Sequence, residues 1–424
     1  MQNVTVVGLG KIGLTLAAQF ANRGFFVRGV DINEAVVDSV NKGISPIVNE
    51  PGLSDLLEQT FKNNTLTATT NTVESVQQSE IVVVIVPILI KENNDTDYQF
   101  MDAAMESIGK GLKENTLVII ETTLSTGDTR NRLGKRLEEE SGLKMGINFS
   151  LAYSPERVQS NRILSDLKSY PKIVGGIDDK SLNLAADFYE KALQCEVIKV
   201  SSLETAEFTK VAECVYRDVN IALANELAIY AEKKGVNMKE VRYAGNSEPL
   251  SNIHEPGIGV GGHCIPIYPY FFINRDLGKG IITLAREVND NMSQYAIELI
   301  EKEIGSVSNQ NVLILGLAFR GNVKEPTKSS TLLVIKALKE KGANIFVNDP
   351  LFTNEEIEKY GVTALPLDEI KNVDVVILQA LHNEYKDLDF KNLKNAKVIL
   401  DGRNVLNREK IEANGIKYRG IGVR

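Results

Sequence analysis

Cys264 follows a segment with glycine at four of six positions, Gly257-Ile258-Gly259-Val260-Gly261-Gly262, with His263 directly before it and Ile265-Pro266 after. Glycine leaves the backbone bare for close approach of a ligand. A thiol in such a loop acts as a nucleophile when nearby cations favour its thiolate. The same features suit a flexible loop with an inert, packed cysteine, and the loop alone leaves both readings open. Cys195 and Cys214 lie in apolar or helical surroundings and read as inert. His263 makes no dyad with Cys264 by adjacency, because neighbours on an extended chain point apart. No metal is expected: the histidines are His254, His263 and His382, and no Cys–His spacing matches a zinc site.

A second chemical segment, Gly8-Leu9-Gly10-Lys11-Ile12-Gly13, has the form GxGxxG between a strand pattern at 4–7 and a helical pattern at 12–22. Glycine is needed where the chain turns sharply, where a pyrophosphate nears the backbone, and where helix meets strand. The free N–H groups at the start of the helix attract phosphate. Asp31 closes the next strand pattern, where a carboxylate accepts from a ribose 2′-OH and repels a 2′-phosphate. NAD is therefore expected over NADP, with Arg28 the one nearby feature against it.

Positioning these groups takes more than one core. A chain of 424 residues calls for two or three domains. Apolar strand patterns at 4–7, 26–31, 81–86, 116–121, 172–174 and 197–200 alternate with helical ones, which implies a parallel sheet with crossover helices. Residues 204–234 then read as one long helix without Gly or Pro, of the kind that connects domains or forms a dimer interface. A further helix is expected at 284–305. Strand and helix patterns return at 312–315, 330–341, 344–347, 375–378 and 397–400. The two α/β ends echo each other, VTVVGLG against NVLILGLAF.

Composition narrows the class. A net charge of -8 argues against a nucleic-acid binder, which needs a basic field. Three cysteines fit a reducing compartment. The opening MQNVTVVGLG runs into a strand without a basic region, so no signal peptide is expected. The apolar run at 81–90 is about half of the ~20 residues a membrane span needs. A cytoplasmic protein with no membrane partner is the expectation.

Together the motifs resemble those of the UDP-glucose/GDP-mannose dehydrogenase family over essentially the whole chain. The resemblance rests on VVGLGKIG with VDI, Glu121-Thr122-Thr123, Tyr153-Ser154-Pro155-Glu156-Arg157, Phe208-Thr209-Lys210, the GVGGHCIP loop, Gly316-Leu317-Ala318-Phe319-Arg320 and Asp401-Gly402-Arg403. The run Tyr216-Arg217-Asp218-Val219-Asn220 is similar to the branch acting on UDP-N-acetylhexosamines, UDP-ManNAc or UDP-GlcNAc.

The resemblance implies an α/β chain with two Rossmann-like parallel-sheet domains joined by a central helical domain with a long connecting helix. The implied domains are 1–200 for NAD, 201–305 for dimerisation and the cysteine loop, and 306–424 for the UDP-sugar. It implies a homodimer and a four-electron oxidation of the sugar C6 alcohol, through a Cys264 thiohemiacetal and thioester. Lys210 would stabilise the developing oxyanion. Thr123 and Glu156 would position a water. Implied cofactor contacts are Gly8, Gly10, Lys11, Ile12, Gly13, Asp31, Val86, Pro87, Thr123 and Lys328. Implied substrate contacts are Arg157, Lys210, Arg217, Asn220, His254, Gly259, Gly261, Phe319 and Arg320.

The chain departs from the family pattern at several positions. The usual Asp four residues after the cysteine is Tyr268, a poor base at neutral pH with a reference pKa of about 10. The usual Asn four after the lysine is Cys214, and an Arg before the glycine loop is Leu250. A C-terminal Arg is Thr327, beside Lys328. Either Tyr268 and Glu156 compensate around one water, or the reaction is weak or stops before the carboxylate. The joint persistence of Cys264, Lys210 and Glu156 favours compensation. The alternatives are a UDP-glucose 6-dehydrogenase, a 2-hydroxy-acid or 6-phosphogluconate-type dehydrogenase, and a nucleotide-sugar-binding protein without turnover.

Overall fold

Short apolar runs become buried strands because helices cover both faces of each sheet. The structure, a computed structural model, describes residues 2–47, 49–91, 94–274 and 280–423. It forms two compact units, Met1–Glu213 and Cys214–Arg424.

In the first unit the strands are β1 (Asn3–Val7), β2 (Phe26–Val30), β3 (Leu66–Thr69), β4 (Ile81–Val84), a small pair β5 (Leu89–Ile90) and β6 (Thr96–Asp97), β7 (Leu117–Ile120), β8 (Ser150–Tyr153), β9 (Lys172–Gly176) and β10 (Val197–Val200). Eight of them form one sheet in the order β3-β2-β1-β4-β7-β8-β9-β10. On one face Val83 and Ile119 pack with Leu14, Ala17 and Phe20 of the helix Lys11–Asn22. On the other, Val82, Val84, Val118 and Ile120 pack with Met101, Met105 and Ile108 of the helix Gln99–Gly111. Fully burying each such side chain contributes roughly 1.5–3 kcal/mol.

Strands β1 to β4, β7 and β8 pair in parallel, so their carboxyl ends lie along one edge of the sheet. The expected parallel run to residue 200 fails at β9, which pairs antiparallel with β8, Tyr153 opposite Gly175. The physical reason is the connection: after the short helix Ile163–Ser169 the chain enters β9 from the end at which it left β8. Strands β3 and β8 do not stand out in the sequence as apolar runs.

The boundary between the units falls within the 32-residue helix Leu203–Lys234. The second unit holds the remainder of that helix, the 24-residue helix Ile281–Ile304 and a six-stranded sheet. Its strands are β11 (Asn311–Leu315), β12 (Asn344–Asn348), β13 (Thr363–Ala364), β14 (Val375–Leu378), β15 (Val398–Asp401) and β16 (Lys417–Gly420). All pairings are parallel, in the order β13-β12-β11-β14-β15-β16. Met292 and Ile297 of the helix Ile281–Ile304 pack on one face with Ile314 and Ile377, and Tyr385 and Phe390 pack on the other with Leu313 and Val376. No helix among the described residues is long and apolar enough to cross a membrane.

Candidate active site

At the carboxyl end of β1, Gly8 adopts φ +97° and its N–H donates to Val30 O at 2.8 Å. A Cβ on Gly13 would lie 1.9 Å from the carbonyl oxygen of Gly8, so only glycine lets the helix approach the strand. Around Gly10 a Cβ would meet nothing within 4 Å, which leaves open space at the N-cap of the helix that Lys11 and Ile12 begin. No side chain caps that helix, so its first N–H groups are available to an anion. Asp31 Oδ2 accepts from Leu9 N at 2.8 Å and Oδ1 from Asn33 N at 2.9 Å. Val86 and Pro87 follow β4, and Thr122 Oγ1 ties this edge together by donating to Val86 O at 2.7 Å. The open glycine, uncapped helix and partly exposed carboxylate suit a dinucleotide.

Farther along the same edge, Glu121 and Thr123 follow β7, and Glu156 and Arg157 follow β8. Lys172 Nζ lies 2.7 Å from Glu121 Oε2 and 3.3 Å from Glu156 Oε2, while Tyr189 OH donates to Glu121 Oε1 at 2.5 Å. Glu156 Oε1 accepts from Arg157 N at 2.5 Å and Val158 N at 2.8 Å. Burial, partly opposed by Lys172, pushes Glu121 up to about 7. Burial also acts upward on Glu156, but Lys172, the N–H groups of Val158 and Arg157, and Lys210 outweigh it and hold that carboxyl below its usual range. Thr123 and Lys210 are both buried. Arg157 is bound at 2.6 Å to Glu213 of the long helix and donates to Pro171 O at 3.1 Å.

Glu121 and Lys172 have no role in the sequence reading. The signal for Lys172 is a lone cation opening the otherwise apolar Lys-Ile-Val-Gly-Gly strand. Glu207, also overlooked, accepts from Gly127 N at 2.5 Å and Thr129 N at 2.8 Å, and burial pushes its carboxyl up to about 7.

In the second unit Cys264 is half-buried and opens a tight turn, its carbonyl accepting from Tyr268 N at 2.9 Å. The His263 side chain meets Glu325, its Nε2 2.9 Å from Glu325 Oε2. Burial raises Glu325, but the hydrogen bonds from His263 and Thr327 prevail and bring it to about 2. The glycines preceding Cys264 face protein. A Cβ on Gly259 would meet Ser330 Oγ at 2.9 Å, and one on Gly261 would meet Phe319 Cβ at 2.6 Å and Lys328 O at 2.8 Å. Lys328 is exposed and adopts φ +47°.

Gly257 N donates to Asn225 Oδ1 at 2.9 Å, and Asn225 Nδ2 to Asn289 Oδ1 at 2.8 Å. Asn289 and Arg286 both donate to the buried Asp218, at 2.7 and 2.6 Å. His254 stacks edge-on to Tyr216, and its buried Nε2 has no hydrogen-bond partner among the described residues. Burial, then Arg217 and Arg242, lower the pKa of His254. Arg217 and Arg320 are exposed, and Asn220 donates to Tyr216 O within its own helix at 2.7 Å. Among the described residues no group of three or more His, Cys, Asp or Glu could hold a metal ion.

Residues 2–193, 204–291 and 313–408 match the NAD-binding, central and UDP-binding domains of the UDP-glucose/GDP-mannose dehydrogenase family. The chain belongs to this family. It is 32% identical to the UDP-N-acetyl-D-mannosamine dehydrogenase of Pyrococcus horikoshii, over 99% of each chain. A solved structure of the UDP-D-ManNAc dehydrogenase from that organism overlays with a TM-score of 0.89 at 30% identity, covering 99% of each chain. A UDP-glucose dehydrogenase structure from Pyrobaculum islandicum overlays at 0.88 with 27% identity, covering 100% of this chain and 98% of that one. Membership makes the chain an NAD-dependent dehydrogenase with a C-terminal UDP-binding domain. The family's first domain carries the open Gly8–Asp31 turn together with Glu156, and its central domain begins with the helix that bears Lys210.

Proposed function

We propose that the protein oxidises the C6 alcohol of UDP-N-acetyl-D-mannosamine to the carboxylate. The observation that carries this reading is the Glu156 carboxylate, held ionised beside Lys210 on the same sheet edge as the dinucleotide turn. Full-length similarity to UDP-N-acetyl-D-mannosamine dehydrogenases supports the substrate class. The net reaction takes one alcohol, two NAD⁺ and one water to one carboxylate, two NADH and three protons.

Gly8, Gly10, Lys11, Ile12 and Gly13, with Asp31 on the ribose, and Val86, Pro87, Thr123 and Lys328 would hold NAD⁺, which would supply the hydride acceptor for both oxidations. Cys264 adds its sulfur to the aldehyde carbon, which keeps the intermediate bound and prepares it for the second oxidation. Lys210 steadies the negative oxygen that forms at C6. Glu156, with Thr123, takes a proton from the water that cleaves the thioester. Substrate contacts fall to Arg157, Lys210, Arg217, Asn220, His254, Gly259, Gly261, Phe319 and Arg320.

The functional division we propose is 1–200 for NAD, 201–305 for dimerisation and the cysteine loop, and 306–424 for the UDP-sugar. Tyr216, Leu223, Leu227 and Tyr230, exposed along one helix at helical spacing, support a homodimer. A monomer mass by light scattering would remove that part. A cytoplasmic location is supported by the cysteines, none of which forms a disulfide, and by the NAD⁺ the reaction consumes.

The test is NADH yield per limiting sugar with UDP-ManNAc, UDP-GlcNAc and UDP-glucose in parallel, alongside Cys264→Ala. Two NADH per UDP-ManNAc, lost in the variant, is the expected outcome. Preference for UDP-glucose would favour the second reading, which the 0.88 overlay supports. A single NADH would mean that the reaction stops at the aldehyde.

A further inference from the structure

The reversal of β9 has a chemical result. Strand β8 pairs with β9 so that Ala152 faces Gly176 and Tyr153 faces Gly175. Continued past the end of β8, that antiparallel register sets residue 156 opposite residue 172. A parallel β9 would have carried Lys172, its first residue, to the opposite edge of the sheet. The reversal thus delivers a buried ammonium to the catalytic edge. The Lys172 side chain is 6% exposed, Glu121 0% and Glu156 9%.

We propose that Lys172 is a positioning residue for Glu156, and that Glu121 is the buried carboxylate that anchors Lys172 there. The proposal rests on the reading of Glu156 as the water-activating group. Lys172 is closer to Glu121 than to Glu156, 2.7 against 3.3 Å, so Glu121 fixes the ammonium and presents it to the second carboxylate. Tyr189 holds the far oxygen of Glu121. A carboxylate has about four acceptor positions, two on each oxygen. Glu156 Oε1 is filled by two backbone N–H groups, whereas among the described residues Oε2 takes only the longer contact from Lys172. Oε2 is therefore the oxygen that receives a proton from water.

The groups acting on Glu156 are Lys172 from β9, Glu121 from the end of β7, Lys210 from the long helix, Tyr189 from the helix Asp179–Leu193, and Cys195 before β10. Lys172 and Lys210 favour its ionised form, and Glu121 opposes it when charged. The signs follow. Removing Lys172 raises the pH needed to ionise Glu156, whereas Glu121→Gln leaves it in place, because Glu121, pushed up to about 7, is already neutral where Glu156 titrates.

The experiment measures kcat and KM for UDP-ManNAc at saturating NAD⁺ across pH for the full chain and for Lys172→Met, Lys172→Arg, Glu121→Gln, Glu156→Gln and the double variant Glu121→Gln/Lys172→Met. The double variant removes both charges together, so it keeps the test alive if Lys172→Met fails to fold. In Lys172→Met, kcat is expected to fall on the order of 100-fold while KM stays within about threefold. Its acidic limb should move to higher pH, and so should that of the double variant. The limb of Glu121→Gln should stay in place while its kcat falls as Lys172 loses its anchor, and Lys172→Arg should restore part of the loss.

Acidic limbs that stay in place in both Lys172→Met and the double variant, with an inactive Glu156→Gln, would overturn the positioning role and leave the reading of Glu156 intact. A fully active Glu156→Gln would overturn that reading and the proposal with it.

Discussion

The two units contain the same turn put to different uses. After β1, Gly8 N donates to Val30 O and Leu9 N to Asp31 Oδ2, both at 2.8 Å. After β11, Gly316 N donates to Asn348 O and Leu317 N to Asp349 Oδ2, again at 2.8 Å. Beyond those four bonds they diverge. The first turn runs straight into its helix, with space at Gly10 and a partly exposed Asp31.

The second turn is sealed: Asp349 is 3% exposed and also takes Ala318 N at 2.9 Å and His382 Nε2 at 3.1 Å. His382 Nδ1 accepts from Asn322 N, which leaves the ring proton on Nε2 to donate to Asp349. Where the first helix brings Gly13 against Gly8 O, the second brings Thr331, whose hydroxyl donates to Gly316 O at 2.7 Å. A glycine turn with its acid partner is thus a framework, and what covers the carboxylate decides whether a ligand reaches it.

The largest expected effect is at Gly13. Gly13→Ala places a methyl 1.9 Å from a backbone oxygen that cannot rotate away, and should cost about 4 kcal/mol in urea unfolding. A cost under about 1 kcal/mol would show that this turn yields more than its geometry allows. Next is His382→Leu, which strands the Asp349 carboxylate and the N–H of Asn322. It should cost about 3 kcal/mol of stability without weakening NAD⁺ binding. Weaker NAD⁺ binding at full stability would reverse the roles assigned to the two turns. The smallest effect is Asp31→Asn. Asn keeps an acceptor for Leu9 N, so stability should hold while calorimetry reads NAD⁺ affinity about tenfold weaker, or about 1.4 kcal/mol. Unchanged affinity would mean that the open turn is not where the ribose is held.

The first turn was legible because its signal is local: a strand, three glycines and an acid at the end of the next strand. The echo at Gly316 was visible for the same reason, but its closure by His382 was not, since that contact spans 33 residues. Lys172 and Glu121 lie 51 residues apart and meet only because β9 reverses, a property of the connection rather than of the strand. Strand β3, Leu-Thr-Ala-Thr at the sheet edge, lacks the apolar run that betrays an interior strand. The glycines before Cys264 leave backbone bare for a ligand, and on the side where a Cβ would stand Gly259 and Gly261 also make room for Ser330, Phe319 and Lys328. Composition gave the need for bare backbone there without saying what would come near it.

Lys328 bears on how much of a sequence answers to stability alone. At φ +47° its side chain is held in a backbone conformation that costs an ordinary residue roughly 1–2 kcal/mol. Elsewhere among the described residues that conformation is taken by glycine, by asparagine, as at Asn64, Asn115, Asn161 and Asn309, and by Gln194 at φ +56°. The NAD⁺ contact proposed for Lys328 would give that cost a use, binding gained where backbone ease is lost.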